Sequence, residues 1–437
     1  LMSMNLSASI SSSLAAVALL MLCGCADESL TNPFHAVVAQ DGSGDFLTVQ
    51  EAVNAAPDSL TSPYLIFIKN GSYEENVVVP ESKPYIHLIG QDKEQTIIHY
   101  KLNVGSEPEN KDEEYWKYSV HNPESPAHPF EESGSVVLVK APYFYTENIS
   151  YVNDYGVSAQ KGPQALAMKT RADCAAFNNC IFRSFQDTWM TSTKDEHRHY
   201  VNNCWIEGAV DYLYGGGDVL VENTTFYNVR SGSVIVAPCH TKAKYGYVMR
   251  NCVVDGNNAA ADGTTLLGRP WHNSPQARFV NTVMRIPVAP EGWTNMGAIP
   301  GIFAEFGSRD SLGRPIDLSS RKTIYNYTSR EGENITGESR TSITENEASA
   351  LTYANMIPGE DGWDPRGMMS KLPVPANIRV DDVTVSWDAV NDARGYIVYD
   401  GDEVAGFTTG NRCTLSRVPE GGVKVQAVNA YGSLGNV

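Results

Sequence analysis

"FNNCIF" at residues 177–182 and "VNNCWI" at residues 201–206 are nearly the same phrase, set 24 residues apart. Each places two asparagines before a cysteine and follows the cysteine with residues that favour strands. Looser copies recur as "YTENISY" (145–151), "VENTTF" (221–226), "MRNCVV" (249–254) and "FVNTVM" (279–284). Aligned on Asn148, Asn179, Asn203, Asn223, Asn251 and Asn281, the offsets are 31, 24, 20, 28 and 30 residues. Repeats of this length built from short β segments point to a solenoid. Helical repeats would need apolar stripes of period 3.6, which the chain lacks. Runs such as "SVVLVKA", "ALAMKT" and "DVLVEN" read as strands bounded by Gly, Asn and Pro. The expected fold is all-β, a right-handed parallel β-helix whose coils stack about 4.8 Å apart. Cys180 and Cys204 then stack as small apolar fillers of the interior.

That register explains two aspartates in apolar company. "FRSFQDTWMTS" (182–192) sets Gln186 and Asp187 among Phe182, Phe185, Trp189 and Met190, and "GAVDYLYGGG" (208–217) sets Asp211 between Val210 and Tyr212. A carboxylate so placed is costly unless it is paired, hydrogen-bonded or used. Asp187 follows Asn179 by eight residues, and Asp211 follows Asn203 by eight. The two therefore occupy one position in successive coils. Neighbouring like charges push their pKa values apart, so one carboxyl keeps a proton while the other ionises. Phe185 and Trp189 are expected to favour neutral Asp187. By the same alignment Gln164 in "GPQALAM" matches Gln186 of the following coil. Successive strand residues face opposite ways, so Gln186 and Asp187 share a cleft only where the strand bends. In "LLGRPWHNS" (266–274), Arg269 and Trp271 fall on one side of an extended segment. An Arg can hold a carboxylate in a fixed geometry, and a Trp offers a flat face to a sugar ring.

The bulk numbers narrow the partners. A chain of 437 residues with 42% hydrophobic and 19% charged residues has material for one large domain and a smaller one. A net charge of −18 argues against sequence-blind nucleic-acid binding and favours a neutral or esterified polymer over a strongly anionic one. Leu14 to Leu22, "LAAVALLML", is too short to span a bilayer and suits a signal peptide. It runs into "LCGC", which resembles a bacterial lipobox and implies lipid attachment at Cys25. Residues 1–25 are thus expected to be a signal segment and 26–35 a polar tether. The protein is expected to be exported as a cell-envelope lipoprotein, or otherwise simply secreted. The remaining cysteines, Cys174, Cys180, Cys204, Cys239, Cys252 and Cys413, form no C-x-x-C pair, which leaves zinc and redox sites without support.

Further motifs extend from "VVAQDGSGDFLTVQEAVNAAP" (37–57) through "IFIKNGSYEENVVVP" and "IHLIGQD" to "DGWDPRG" (361–367). "GPQALAM", "SFQDTW", "AVDYLYG" and "LGRPW" lie between them in order. With these, the chain resembles the pectin methylesterase family, carbohydrate esterase family 8. The resemblance implies a parallel β-helix that hydrolyses methyl esters of galacturonan without a metal or organic cofactor. It makes Asp211 the nucleophile and Asp187 the general acid and then base. Gln164 and Gln186 would hold the oxyanion, and Arg269 would fix Asp211 and the substrate. Trp271 would line a sugar subsite together with Tyr214. The Trp of "QDTW" and the tyrosines of "VDYLYG" depart from the family's commoner residues and alter subsite walls. An acidic insertion at 106–116 is unmatched and is a candidate border of the cleft. The implied partner is methyl-esterified homogalacturonan, met by a monomer whose only membrane contact is the lipid.

After residue 370 the pattern changes to the alternating strands of "LPVPANIRVDDVTVSWDAVNDARGYIVYDGDEVAG" (372–406) and "VKVQAVNAYGSLG" (423–435). Trp387, Tyr396 and "AVNAYG" resemble a fibronectin type III domain, a small β-sandwich, with an abbreviated last strand. The expected division is 36–370 for the β-helix and 371–437 for this module, a spacer or docking unit. Rival readings are a β-helix esterase or thioesterase acting on a non-pectin ester, and a surface carbohydrate-binding solenoid without turnover. Pectin-cleaving hydrolases and calcium-dependent lyases share the architecture, but no cluster of three carboxylates stands out in the sequence for calcium.

Overall fold

The computed structural model describes residues 31–437, so the signal segment and Cys25 lie outside the described residues. Within them, three long sheets of ten, nine and seven parallel strands run side by side. The chain visits each sheet once per coil. One coil contributes Ala175–Asn178 to the first sheet, Ile181–Arg183 to the second and Trp189–Met190 to the third. The next contributes Arg198–Asn202, Trp205–Gly208 and Val210–Gly215. Along the first sheet Phe144 pairs with Ala175, Ala175 with His199, Val219 with Tyr247, and Tyr247 with Ala277. The asparagine offsets are therefore coil lengths, and the fold is the right-handed parallel β-helix.

The asparagines make the corner between the first and second sheets. Asn148, Asn179, Asn203, Asn223, Asn251 and Asn281 all have φ between 51° and 58°. That left-handed conformation costs an ordinary residue about 1–2 kcal/mol, and asparagine adopts it more readily than most. The side chains also link coils. Asn179 Nδ2 donates to Asn148 Oδ1 at 2.8 Å, and Asn203 Nδ2 to Asn179 Oδ1 at 3.3 Å. Inside the corner, Cys180, Cys204 and Cys252 are buried, and all six described cysteines are free thiols. Deeper in, Trp189 stacks on Phe182 at 4.4 Å and Phe182 on Tyr151 at 5.5 Å. At the amino-terminal end the helix Val49–Ala55, started by a Thr48–Glu51 capping box, buries Val49, Ala52 and Val53 over the first coils.

Residues beyond 370 form two three-stranded antiparallel sheets. Trp387 and Tyr396 share the core between them, with ring centroids 5.1 Å apart. A final strand is reduced to the single bridge between Val428 and Leu434. This unit is docked. Ile397, Tyr399, Val428 and Leu434 join Leu65, Phe67 and Tyr145 of the first sheet in one apolar cluster. The buried Glu147 accepts from the Leu434 amide at 3.2 Å, and His87 Nδ1 lies 2.8 Å from the Tyr431 carbonyl. The described end of the expected 26–35 tether is packed as well. Phe34 stacks on Phe67 at 4.9 Å, and Arg394 donates to the Pro33 carbonyl at 2.6 Å.

Candidate active site

Pairing between successive coils sets Gln186 opposite Val210 and Trp189 opposite Leu213, which places Asp187 level with Asp211. Both aspartates have positive φ, 59° and 48°. Each strand thus bends at its aspartate, the bend that a cleft shared with Gln186 requires. The next pairing shows the same disturbance as a register shift between Val210 and Leu213. One coil earlier, the Ala165 amide donates to the Gln186 carbonyl at 3.0 Å, just as the Asp187 amide donates to Val210 at 2.9 Å. Gln164 is therefore level with Gln186. Gly162 leaves room for the latter, because a Cβ there would come within 2.7 Å of Gln186 Oε1.

Arg269, which follows the strand Leu266–Gly268, reaches Asp211 with both arms of its guanidinium. Nε lies 2.8 Å from Oδ1 and Nη2 2.6 Å from Oδ2. This two-point clamp fixes the plane of a carboxylate that is only 5% exposed. Asp187 has no such clamp. Burial, and after it the charge of Asp211, push its carboxyl well above the usual carboxylate range, with Arg269 and the Tyr214 hydroxyl opposing. The site therefore holds a carboxyl whose surroundings favour its protonated form beside one gripped by a guanidinium. Chemically, such a pair can offer an acid and an oriented nucleophile.

Trp271 meets Tyr214 edge-on, with ring centroids 5.4 Å apart and planes at 68°. Met190, Tyr214 and Ala237 occupy one outward row of the third sheet, and Val104, Leu166 and Trp271 pack with them. The sequence shows Met190 only as an apolar neighbour of Asp187, although it follows Asn179 by eleven residues as Tyr214 follows Asn203. The aromatic flank needs correction. Trp189 is fully buried and points into the solenoid, so it is no wall of the Asp187 pocket. The Phe185 ring lies under the Arg230 guanidinium at 5.7 Å. The segment leading into the acidic insertion borders the site, since the Val104 amide donates to the Gln164 carbonyl at 3.0 Å. On the first-sheet side, Asp173, Cys174 and Asp361 converge as a metal ligand set would, but Arg198 fills the space. It lies 2.9 Å from Asp173 and 2.8 Å from Asp361.

Known proteins match this chain along most of the solenoid. The pectinesterase family profile matches residues 35–111 and 126–306, more than half of the chain. Pectinesterase 31 of Arabidopsis thaliana is 31% identical over 263 residues, 60% of this chain and 76% of its own length. Against two further Arabidopsis relatives the matched stretch spans 65% and 43% of their length. Among solved structures, the pectin methylesterase from carrot is 25% identical with a TM-score of 0.59, covering 75% of this chain and 94% of its own. A pectin methylesterase from Erwinia chrysanthemi shares the fold at 20% identity and a TM-score of 0.57, covering 76% and 98%. With its coil register, its paired aspartates and this match, the chain belongs to the pectinesterase family.

Proposed function

We propose that the protein hydrolyses the methyl esters of galacturonate units in pectin and releases methanol. The observation that carries this reading is the Asp211–Arg269 clamp standing beside Asp187, whose pKa burial and the charge of Asp211 raise. The Asp211 carboxylate attacks the ester carbonyl, and the amides of Gln164 and Gln186 donate to the oxygen that gains the negative charge. As the tetrahedral centre collapses, the C–O bond to the methoxy group breaks. Asp187 gives its proton to the departing oxygen, because methoxide is too basic to leave unaided. The Asp187 carboxylate then takes a proton from water, whose oxygen attacks the acyl–Asp211 anhydride. This restores both carboxyl groups and leaves a free galacturonate. Trp271 and Tyr214 offer ring faces to the sugar units. The test is methanol release from highly methylated galacturonan, with chain length followed in parallel. Methanol should appear without shortening of the polymer and with no effect of EDTA; depolymerisation as the primary activity, or a strict calcium requirement, sinks the reading.

Residues 371–437 are read as a fibronectin type III-like module on the support of their sheet orders, the Trp387–Tyr396 core and the abbreviated last strand. The division at residue 370 and the monomeric state belong to the same proposal. Attachment through a lipid on Cys25 rests on "LCGC" alone. Mass spectrometry of the mature amino terminus decides between that and plain secretion.

A further inference from the structure

The corner between the first and second sheets turns on asparagine from Asn148 onward, and the coils before it turn differently. They pass from Tyr64–Ile68 to Gly71–Glu74 through Lys69 and Asn70, and from Ile86–Gly90 to Thr96–Tyr100 through residues 91–95. Over this stretch stands the turn at 400–403, which joins Gly395–Asp400 to Glu403–Thr408 in the carboxy-terminal unit. Gln91 spans the joint. Its Oε1 accepts from the Asn70 amide at 3.0 Å, and its Nε2 donates to the Asp402 carbonyl at 3.1 Å. The two units thereby enclose a cleft of about 580 Å³. The turn at 40–43, Lys69, Asn70 and Gln95 wall it on the solenoid side, and Asp402 and Glu403 on the other. Past Gln91 it adjoins a second space of about 220 Å³, walled by Tyr399 and Lys424. Small-molecule sites commonly measure about 300–1,000 Å³.

The walls are rich in groups that both donate and accept. Among the described residues the Gln95 carboxamide has no partner, and Asn70 Nδ2 donates to nothing, although Asn70 Oδ1 accepts from the Thr96 hydroxyl at 3.2 Å. A carboxamide sets donors beside an acceptor, which suits adjacent sugar hydroxyls. The charges disfavour an ionic ligand. Asp41, Asp402 and Glu403 face the cleft against Lys69 alone, so an anion such as a galacturonate run is repelled. Lys69 is itself engaged, since its Nζ donates to Ser43 Oγ at 2.9 Å with Asp41 beside it. Asp402 pairs with Lys424 at 2.9 Å and Glu403 with Arg417 at 3.6 Å, so a cation meets no unpaired cluster. Among the described residues, ligand atoms gather as for a metal only at Asp173, Cys174 and Asp361, far along the chain from this corner.

We propose that this cleft binds a short neutral oligosaccharide, held by the carboxamides of Gln95 and Asn70 and by the free Oδ2 of Asp402. The site shares no residue with the third sheet that carries the paired aspartates, so the inference goes beyond the pectin reading and stands without it. Nothing reacts there. The cleft anchors glycan, and it exists only because the carboxy-terminal unit is docked over the first coils.

The test is calorimetry of the full chain with galactotriose, xylotriose and cellotriose as neutral probes and with spermidine and calcium chloride as charged ones. At least one neutral trisaccharide should bind saturably, with an affinity that is the same at low and high salt. Gln95→Ala changes the solenoid wall and Asp402→Ala the opposite wall; both side chains are exposed, so the fold tolerates either change. Each should weaken the binding about three- to tenfold, the scale of a single hydrogen bond. Trp271→Ala, at the aspartate cleft, should leave it unchanged, and both wall variants should match wild type in methanol release from soluble pectin. The assignment is overturned if no neutral trisaccharide binds, or if only spermidine or calcium does. Binding that Trp271→Ala abolishes while Gln95→Ala and Asp402→Ala retain it also overturns the assignment. If the trisaccharide binds at this corner and the protein releases no methanol from pectin, the esterase reading fails and the glycan site stands.

Discussion

At the scale of single residues, the two aspartates differ in what surrounds them, and the tasks proposed for them rest on that difference. Asp211→Asn removes the attacking group and should leave almost no methanol release. Asp187→Asn keeps the nucleophile and removes the acid, so turnover should fall by about 10²–10⁴. An ester with a far better leaving alcohol needs little protonation, so it should recover part of that loss in Asp187→Asn and none in Asp211→Asn. Single-turnover release of both alcohols measures this, and rescue of Asp211→Asn instead would reverse the roles. The sign of the pH dependence follows from the raised pKa of Asp187. The acid form is the active one, so acylation should slow as pH rises through that value. Stability has the same direction. A carboxyl that holds its proton more tightly when folded favours the fold at low pH and loses that contribution as pH rises from about 4 through the folded value. Asp187→Asn should therefore melt higher than wild type at neutral pH, with the gap closing in acid. A lower melting temperature at pH 7 would mean that the Asp187 carboxyl stabilises its surroundings.

At the scale of elements, the asparagine corners are where sequence and fold meet most directly. Asn179→Ala puts a Cβ-bearing residue without a local hydrogen bond into left-handed backbone and breaks the link to Asn148. It should cost about 1–2 kcal/mol, whereas Asn179→Gly should recover the backbone share and lose only the amide link. Urea unfolding of both variants separates the two contributions. The same corners explain what could be read from the chain beforehand. A corner that demands one backbone conformation recurs as one residue type, so the coil register, the pairing of Asp187 with Asp211 and the bends beside them were legible. The register of Gln164 was harder to read, because the helix Asp154–Ala159 is inserted between Asn148 and Gln164 and breaks the count. Trp189 was misassigned for a related reason. Position in an apolar run does not say which way a ring faces once the neighbouring residue has bent the strand.

For the molecule as a whole, the sequence predicts a spacer or docking module beyond residue 370, while its burial on the first sheet has no sequence signature. The interface is made of outward strand residues such as Leu65, Phe67 and Tyr145, which look in sequence like any alternating strand. Deleting 371–437 should therefore bare an apolar face and strip Glu147 of its partner amide. The truncated chain should melt earlier and aggregate more readily, while its folded fraction keeps the kcat of the full chain because the cleft residues lie on other strands. A changed kcat in the soluble monomeric fraction would implicate the module in the cleft.

The hydrogen bond from Arg394 to the Pro33 carbonyl, with Phe34 seated on Phe67, also decides how the molecule stands when it is held by its leading end. Whatever precedes residue 31 departs from the corner where the first sheet meets the carboxy-terminal unit. Were the proposed lipid carried on Cys25, the seven residues between it and Pro33 would reach at most about 28 Å fully stretched. Such a leash would keep that corner near its point of attachment and leave the third sheet, which carries the paired aspartates, on another face of the solenoid. A polymer would then reach the site without threading between the protein and the surface that held it.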